Sequence, residues 1–437
     1  MHGIGNPKIH MGMKTAVGQY KLFNDPVHGF IHIPKGILVD LIDHPYVQRL
    51  RRIRQLGLGY LVYPTAEHSR FSHALGAMEL CQRVLQNIRH KGTEITDEEV
   101  ESTLIAILLH DVGHGPLSHT LEHSLIDHFD HEMMSTKIMS ALNDHFNGRL
   151  SMAISIFEDT YPKTFLHQLI SSQLDMDRLD YLRRDSFFTG VSEGAIGVPR
   201  IIETLRVHDG QLVLEKKGIY SVENFILSRR FMYLQVYLHK TVLAGDAHIR
   251  GILRRVKELY EMGKPPVVPS PGLSYFLSHN SVAQTGIHDE MMMQYTSMDD
   301  HDLYACLKSW QQSEDTLLRI LSSRFLDRQL LRTTFLDEPA SDSLLDSLQS
   351  PVLDVLDQWG IQKDDSSDDA TSYVLYKDLS TTEAYHHRGQ DIMVLQENGE
   401  IEEFSKASDA QHIAALSQPI RRPYIVHPKE ILIEKFL

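Results

Sequence analysis

The chain has 437 residues, 42% hydrophobic and 23% charged, with 17 prolines and 26 glycines; these values exclude wholesale disorder, collagen and coiled coil, and the length implies two to three units or one large helical body with an appendage. A formal charge of −15 argues against a nucleic-acid coat while leaving room for a local basic pocket, and two cysteines, Cys81 and Cys306, argue against a disulfide framework. No stretch approaches the roughly 20 apolar residues of a membrane helix, and residues 1–20 hold no apolar signal core, so the expected location is the cytoplasm.

In chain order, residues 23–34 (FNDPVHGFIHIP) alternate apolar and turn residues and predict a short strand or hairpin. Residues 35–56 predict one or two short helices that stop near Gly57 and Gly59. Apolar residues at helical spacing (Leu75, Met78, Val84, Leu85, Ile88) predict a helix over 71–90. Thr96 and Glu99 form a capping box that opens a helix running to Leu109, which Gly115 and Pro116 then stop or bend. Helical patterns continue over 135–143, 165–187 and 199–205. Asp209-Gly210 lies between short alternating runs in 207–215, a hairpin signal. Residues 222–262 read as two long helices, 264–271 as a proline-rich linker, and 300–311 and 341–359 as helices. The acidic run 364–369 reads as a boundary, after which the period changes to two over 373–376, 391–395, 400–404 and 423–426. The expectation is a mainly α protein: an extension over 1–20, a helical core over 21–262, a helical extension over 263–363 and a small α+β region over 364–437.

Histidine is the residue out of proportion. Of 26 histidines, ten lie between His68 and His145, about twice an even share. Histidine is the commonest metal ligand and the usual acid–base near neutral pH. Within that window HDVGHGPLSH (110–119) ends an apolar helix. His110 and Asp111 can offer a nitrogen and an oxygen to one cation. His114 reaches the same cleft if the helix persists one more turn, and Gly113 and Gly115 allow backbone close to a ligand. By itself the pair reads equally as a helix C-terminus whose histidines suit the dipole. Upstream, Arg70-Phe71-Ser72-His73 can supply a third ligand. Downstream, DMDRLDYLRRD (175–185) packs four carboxylates into eleven residues, a costly arrangement unless they bind cations or pair with the interleaved arginines. Histidine and aspartate together suit a borderline or hard divalent ion: manganese, iron, zinc or magnesium.

His73, His110-Asp111 and Asp177 together resemble the H…HD…D signature of the HD-domain metal phosphohydrolases. The resemblance runs through FNDPVHGFI, QRLRRIRQLG, RFSHALG, HDVGHGPLSH, His131-Glu132 and DMDRLDYLRRD, which look like the deoxynucleoside triphosphate triphosphohydrolases of that superfamily, over roughly residues 20–245. It implies an HD core over 21–262 that hydrolyses dNTPs at the α-phosphate to deoxynucleoside and inorganic triphosphate. His73, His110, Asp111 and Asp177 would hold the metal, and a second magnesium ion could accompany the substrate phosphates. His114, His119 and His131 would line the reacting phosphate. Glu122 stands where the family has an aspartate beside His119, a longer side chain for the same orienting role. Gln55 and Leu56 would face sugar and base. Arg70, Arg178, Tyr181 and Arg229 would contact phosphates, with Arg178 replacing a lysine of the animal family members. Asp185 and Tyr237 would contact the deoxyribose, although Tyr237 and Leu56 fit a core role equally by composition.

The resemblance also implies a nucleotide effector between subunits at Asn24, Asp43, Gln48 and Arg51, with His239 and Lys240 matching the same region. Asp43 can equally cap a helix, and Arg51 can equally be solvated. The implied partners are a dNTP substrate, a nucleotide effector and further copies of the chain as a dimer or tetramer, without membrane or nucleic acid. Two other readings stay open: an HD hydrolase of another nucleotide, such as a guanosine polyphosphate, and a nucleotide-sensing oligomeric binding protein with little turnover. No Walker A pattern is present, which argues against ATP-driven work.

Overall fold

The computed structural model describes residues 19–118, 130–278, 287–361, 370–382, 391–409 and 419–436. The chain opens with the expected hairpin, β1 (Tyr20–Asp25) and β2 (Gly29–Pro34), with Tyr20 opposite Pro34 and Asp25 opposite Gly29. Strand alternation turns Ile31 and Ile33 into the core and Leu22 and Phe30 outward. Asp25 Oδ1 accepts from the N–H groups of Val27 and His28, each at 2.9 Å, and this closes the turn.

Short helices α1 (Ile37–Asp43) and α2 (Pro45–Arg49) lead into the helical body. Its centre is α3 (Arg70–His90), which packs on α4 (Asp97–Leu109) and on α8 (Met176–Thr189). Around them lie α5 (His131–His145), α6 (Ser151–Phe157) and α7 (Thr164–Gln168). The capping box read from Thr96 and Glu99 forms in full: Thr96 Oγ1 accepts the Glu99 N–H at 3.1 Å, and the Glu99 carboxylate accepts the Thr96 N–H at 2.8 Å. The single helical run expected over 165–187 is two helices. The chain breaks over 169–175 because Asp175 turns out of helical geometry to cap α8, accepting the Arg178 N–H at 2.7 Å.

Next come α9 (Val198–Thr204) and the hairpin β3 (Leu205–His208) to β4 (Gln211–Glu215). Its turn residues Asp209 and Gly210 have φ of 48° and 76°, the paired positive values of a type I′ turn. Helix α10 (Ile219–Met232) passes through a π-helical turn (Tyr233–Tyr237) before α11 (Lys240–Glu261). The remaining helices are α12 (Pro271–Ser278), α13 (Asp289–Thr296), α14 (Asp300–Trp310), α15 (Thr316–Leu326) and α16 (Asp342–Gln358), with β5 (Arg332–Phe335) between the last two.

The strands of the C-terminal region are woven into this body. β6 (Tyr376–Thr382) and β9 (Ile420–His427) join β5 in the order β5–β9–β6, all antiparallel. β7 (Met393–Leu395) runs parallel to β4, Val213 opposite Met393, and β8 (Ile401–Glu403) closes that sheet ahead of α17 (Phe404–Ala407). Tyr373 ends a 3-10 turn (Ala370–Tyr373) instead of opening a strand. The acidic run 364–369 lies outside the described residues. One continuous apolar core spans Ile31 to Ile433, and both cysteines are buried and unpaired. No described helix is long and apolar enough to cross a membrane.

Candidate metal centre and substrate cavity

Three helix ends converge. His73 stands in the first turn of α3, His110 and Asp111 follow the last turn of α4, and Asp177 stands in the first turn of α8. Asp177 Oδ1 lies 3.1 Å from His73 Nε2 and 3.5 Å from His110 Nε2. Asp111 closes the group, with Oδ1 3.4 Å from His110 Nε2 and Oδ2 3.7 Å from His73 Nε2. Both Nε2 atoms are buried without a hydrogen-bond partner. Buried lone pairs left unspent are expensive, and two imidazoles with two carboxylates fit a divalent cation. Their other ring nitrogens fix the tautomer that leaves Nε2 free. His110 Nδ1 lies 2.7 Å from the Ile107 carbonyl and His73 Nδ1 2.8 Å from Asp180 Oδ2.

Behind His73 runs a network that motif reading missed. Asp180 Oδ2 also accepts from Arg184 Nε at 2.8 Å, and Asp180 Oδ1 meets His28 Nε2 at 2.5 Å. Arg184 Nη1 reaches Asp25 Oδ2 at 2.7 Å, tying α8 to the first hairpin. Burial would raise the Asp180 pKa, but the Arg184, His28 and His73 partners hold it well below the usual carboxylate range. Gly76 lets α3 approach: a Cβ there would sit 2.1 Å from Asp180 Oδ1 and 2.2 Å from Arg184 Nη2. The sequence signal was the carboxylate–arginine interleaving of 175–185; its partner 159 positions away carries no local signature.

After His110 the helix does not persist. The Val112 and His114 N–H groups instead close a tight turn on the Leu109 and Asp111 carbonyls at 3.0 and 3.1 Å. The turn still brings His114 into the cleft, with Nε2 3.3 Å from Asp111 Oδ1 and its ring stacked on His131 at 3.8 Å between centroids. Asp111, His114 and His131 form a second group able to hold a cation. Burial and the Arg70 charge push the His114 pKa well below its ordinary value, so its imidazole is neutral. Arg70 Nη1 donates to Asp111 Oδ2 at 2.5 Å and its Nε to Ser118 Oγ at 2.8 Å. Leu117 and Ser118 hold φ of 51° and 52°, a strained pair beside the site. Arg49 is a further residue missed above: fully buried, it donates to the carbonyls of His114 (2.9 Å) and Met298 (2.7 Å) and so fixes the turn. His119 and Glu122 lie outside the described residues.

The centre opens into a cavity of about 570 Å³. Asp177, Tyr181 and Asp185, one turn apart on α8, form one wall. Gln55, Leu56, Arg70, Arg178, Tyr237, Asp111, His114 and His131 also line it. Asp185 is gripped from two sides, by His68 Nε2 at 2.7 Å and by the Tyr237 hydroxyl at 2.7 Å. Arg178 binds Asp175 through its guanidinium. Arg229 is not among the lining residues; it is buried, 3.3 Å from Gln173 Oε1. The effector candidates lie elsewhere. Asn24 is exposed on β1, Asp43 pairs with Lys21 at 2.7 Å, Gln48 donates to the Ile42 carbonyl at 2.7 Å, and Arg51 binds Gln48 and covers the Phe71 ring at 3.6 Å.

Residues 70–185, which carry this centre, match the HD domain, and 196–258 match the HD associated region. The Bacillus subtilis protein YwfO is 32% identical over 96% of this chain and 94% of its own length. A phosphohydrolase crystal structure from Bacteroides thetaiotaomicron superposes with a TM-score of 0.87 at 42% identity, covering 93% of this chain and 99% of that one. The chain belongs to the HD-domain phosphohydrolases. A Dictyostelium discoideum protein named a deoxynucleoside triphosphate triphosphohydrolase SAMHD1 homolog is 33% identical over 50% of this phosphohydrolase, which spans 46% of that relative. The HD phosphohydrolase fold thus accounts for the inner end of the cavity. The outer end adds four lining residues absent from the motifs above: Asp246 and Arg250 on α11, Asp378 on β6 and Tyr424 on β9.

Proposed function

We propose that this phosphohydrolase cleaves dNTPs at the α-phosphate into deoxynucleoside and inorganic triphosphate. The observation that carries the reading is a pair of buried histidine nitrogens without hydrogen-bond partners, His73 and His110 Nε2, facing Asp177 beside a cavity of nucleotide size. His73, His110, Asp111 and Asp177 would hold a divalent ion, which when bound supplies Lewis acidity and a water whose pKa falls from 15.7 to about 7. The protein does the rest. Arg178 offsets the polyphosphate charge. Arg70, committed to Asp111 and Ser118, orients that carboxylate while facing the same space. His114 is a neutral hydrogen-bonding group, so the proton for the leaving 5′-oxygen comes from His119 or from His131. Asp185, braced by His68 and Tyr237, is a rigid acceptor for a sugar hydroxyl.

The same reading includes a nucleotide effector that links assembly to activity, at Asn24, Asp43, Gln48 and Arg51. None of these four lines the recess of about 640 Å³ that holds His239 and Lys240, the other two residues of the implied effector region; that recess also carries Arg328, Arg332 and Lys429, which suit a phosphate chain, and one carboxylate, Glu434. Light scattering and turnover of one dNTP, with and without a second nucleotide, test this part. Mass and rate indifferent to every second nucleotide sink it.

The main test is a panel of dNTPs and guanosine polyphosphates with manganese, magnesium or iron, with products separated by chromatography. Deoxynucleoside plus triphosphate is expected, with oxygen-18 from solvent in the triphosphate. Orthophosphate plus dNDP reverses the substrate pose. Turnover of a guanosine polyphosphate alone replaces the substrate, and binding without turnover makes the protein a sensor. His119→Ala is expected to slow the reaction by roughly 10²–10⁴-fold while retaining metal.

A further inference from the structure

Within 242–250 of α11 every residue is buried except Asp246 and Arg250, and both of these line the cavity. One turn apart, they set a carboxylate and a guanidinium side by side on one helix face. Both are part-exposed, whereas His73, His110 and Asp111 are buried. Asp378 and Tyr424 reach the outer end from the C-terminal sheet. Tyr424 donates its hydroxyl to Asp378 Oδ2 at 3.0 Å, the Leu379 N–H donates to Asp378 Oδ1 at 2.8 Å, and Asp378 Oδ2 lies 3.6 Å from Arg250 Nη1. Asp378 is thereby held by its own neighbours and orients Arg250, whose Nε is buried without a hydrogen-bond partner. Gln55 Oε1, also lining the cavity, is another buried acceptor without a partner.

Resting on the dNTP reading, we propose that Asp246 and Arg250 read the base and select guanine. With phosphates at the metal end and sugar against Asp185 and Tyr237, the base extends toward α11. A carboxylate only accepts and a guanidinium only donates. Guanine presents the adjacent donors N1–H and N2–H to Asp246 and the adjacent acceptors O6 and N7 to Arg250, two bidentate contacts at once. Thymine has the single donor N3–H for Asp246 and presents O4, with no neighbouring N7, to Arg250. Adenine turns N1 toward the carboxylate and its amino group toward the guanidinium, and cytosine likewise opposes like to like. The order of preference is therefore guanine, then thymine, then adenine and cytosine.

Each bidentate contact discriminates by roughly five- to a hundredfold. An equimolar mixture of the four dNTPs with manganese, followed by chromatography of the deoxynucleosides, reads the relative specificity constants directly. Deoxyguanosine is expected to lead deoxyadenosine by about tenfold or more. Asp246→Asn should cut that ratio by about tenfold, and Arg250→Gln should lower guanine and thymine together against the other two. Because each ratio is internal to one preparation, partial loss of folded protein cancels. Equal rates in the parent protein, or a guanine-to-adenine ratio unchanged within about twofold in both variants, overturn the proposal. If no dNTP is turned over, the hydrolytic reading fails separately. Calorimetric binding of the four deoxynucleoside monophosphates then decides the base-reading: preference for dGMP lost in Asp246→Asn supports it, and four equal affinities overturn it.

Discussion

The two ends of the cavity are held by opposite means. At the inner end, Asp25, Arg184, Asp180 and His73 form a chain of charge-assisted hydrogen bonds whose side chains are at most 7% exposed. At the outer end, Arg250 and Asp378 face each other at 3.6 Å with side chains 39% and 44% exposed. Pairs exposed to that degree contribute about 0–1 kcal/mol, whereas breaking a buried pair costs about 3–5 kcal/mol. The proposed metal site is therefore backed by side chains that are costly to move, and the proposed base-reading pair by ones that are not. A family sharing the inner end can vary the outer end at little cost in stability.

The largest effect should come from Arg184→Ala, which strands Asp180 and Asp25 in the interior. Urea unfolding should show a loss of about 3–5 kcal/mol, and a loss under about 1 kcal/mol would break the contrast between the two ends.

A second test concerns the rear of α11, the helix that carries the outer end. His248 is buried there with Nε2 3.0 Å from the Leu321 carbonyl, and burial, helped by Arg324, lowers its pKa to about 4. A group depressed on folding is protonated first in the unfolded chain. Its contribution is thus intact above about pH 6.5 and is lost as pH falls toward 4, up to roughly 3 kcal/mol. His248→Asn should flatten the pH dependence of the urea midpoint in that window. Asp180 keeps its charge far below that window, so the α11 amides should lose exchange protection before those of α8 as the solution is acidified.

Asp180→Asn sharpens the comparison from the other side. Losing the anion behind a ligating histidine typically weakens metal binding 10–100-fold, about 1.4–2.8 kcal/mol, measurable by chelator competition; affinity within about twofold of the parent would demote the network to packing. Tyr424→Phe should do least. It removes one hydrogen bond to a half-exposed carboxylate, worth about 0.5–1.5 kcal/mol, and should leave metal affinity unchanged.

Legibility followed sequence distance. Thr96 with Glu99 and Asp209 with Gly210 were readable because each device is complete within four residues. His73, His110, Asp111 and Asp177 were readable as a set because their order resembles the HD signature, and they do gather. His114 reaches the cleft by a different route from the one periodicity offered, since a turn replaces the extra helical turn. The helix break at 169–175 was hidden because Asp175 reads as one more acidic residue until its cap bond is seen. Asp25 with Arg184, Arg49 on the His114 carbonyl, and the outer end with Asp378 and Tyr424 each join segments 65 to 174 or more positions apart. Nothing local announces such pairings.

The parallel pairing of β4 with β7 has a consequence in time. Val213 cannot find Met393 until about 180 more residues have been made, and long loops close slowly. Every candidate ligand of the metal centre lies between His73 and Asp177, on α3 and on or just after the two helices that pack against it. As the chain leaves the ribosome, the metal-site helices and then α11 can assemble while Asp378 and Tyr424 are still to be synthesised. For that interval the nascent protein holds a cleft whose outer end lacks the C-terminal sheet, which later synthesis supplies with Asp378 and Tyr424.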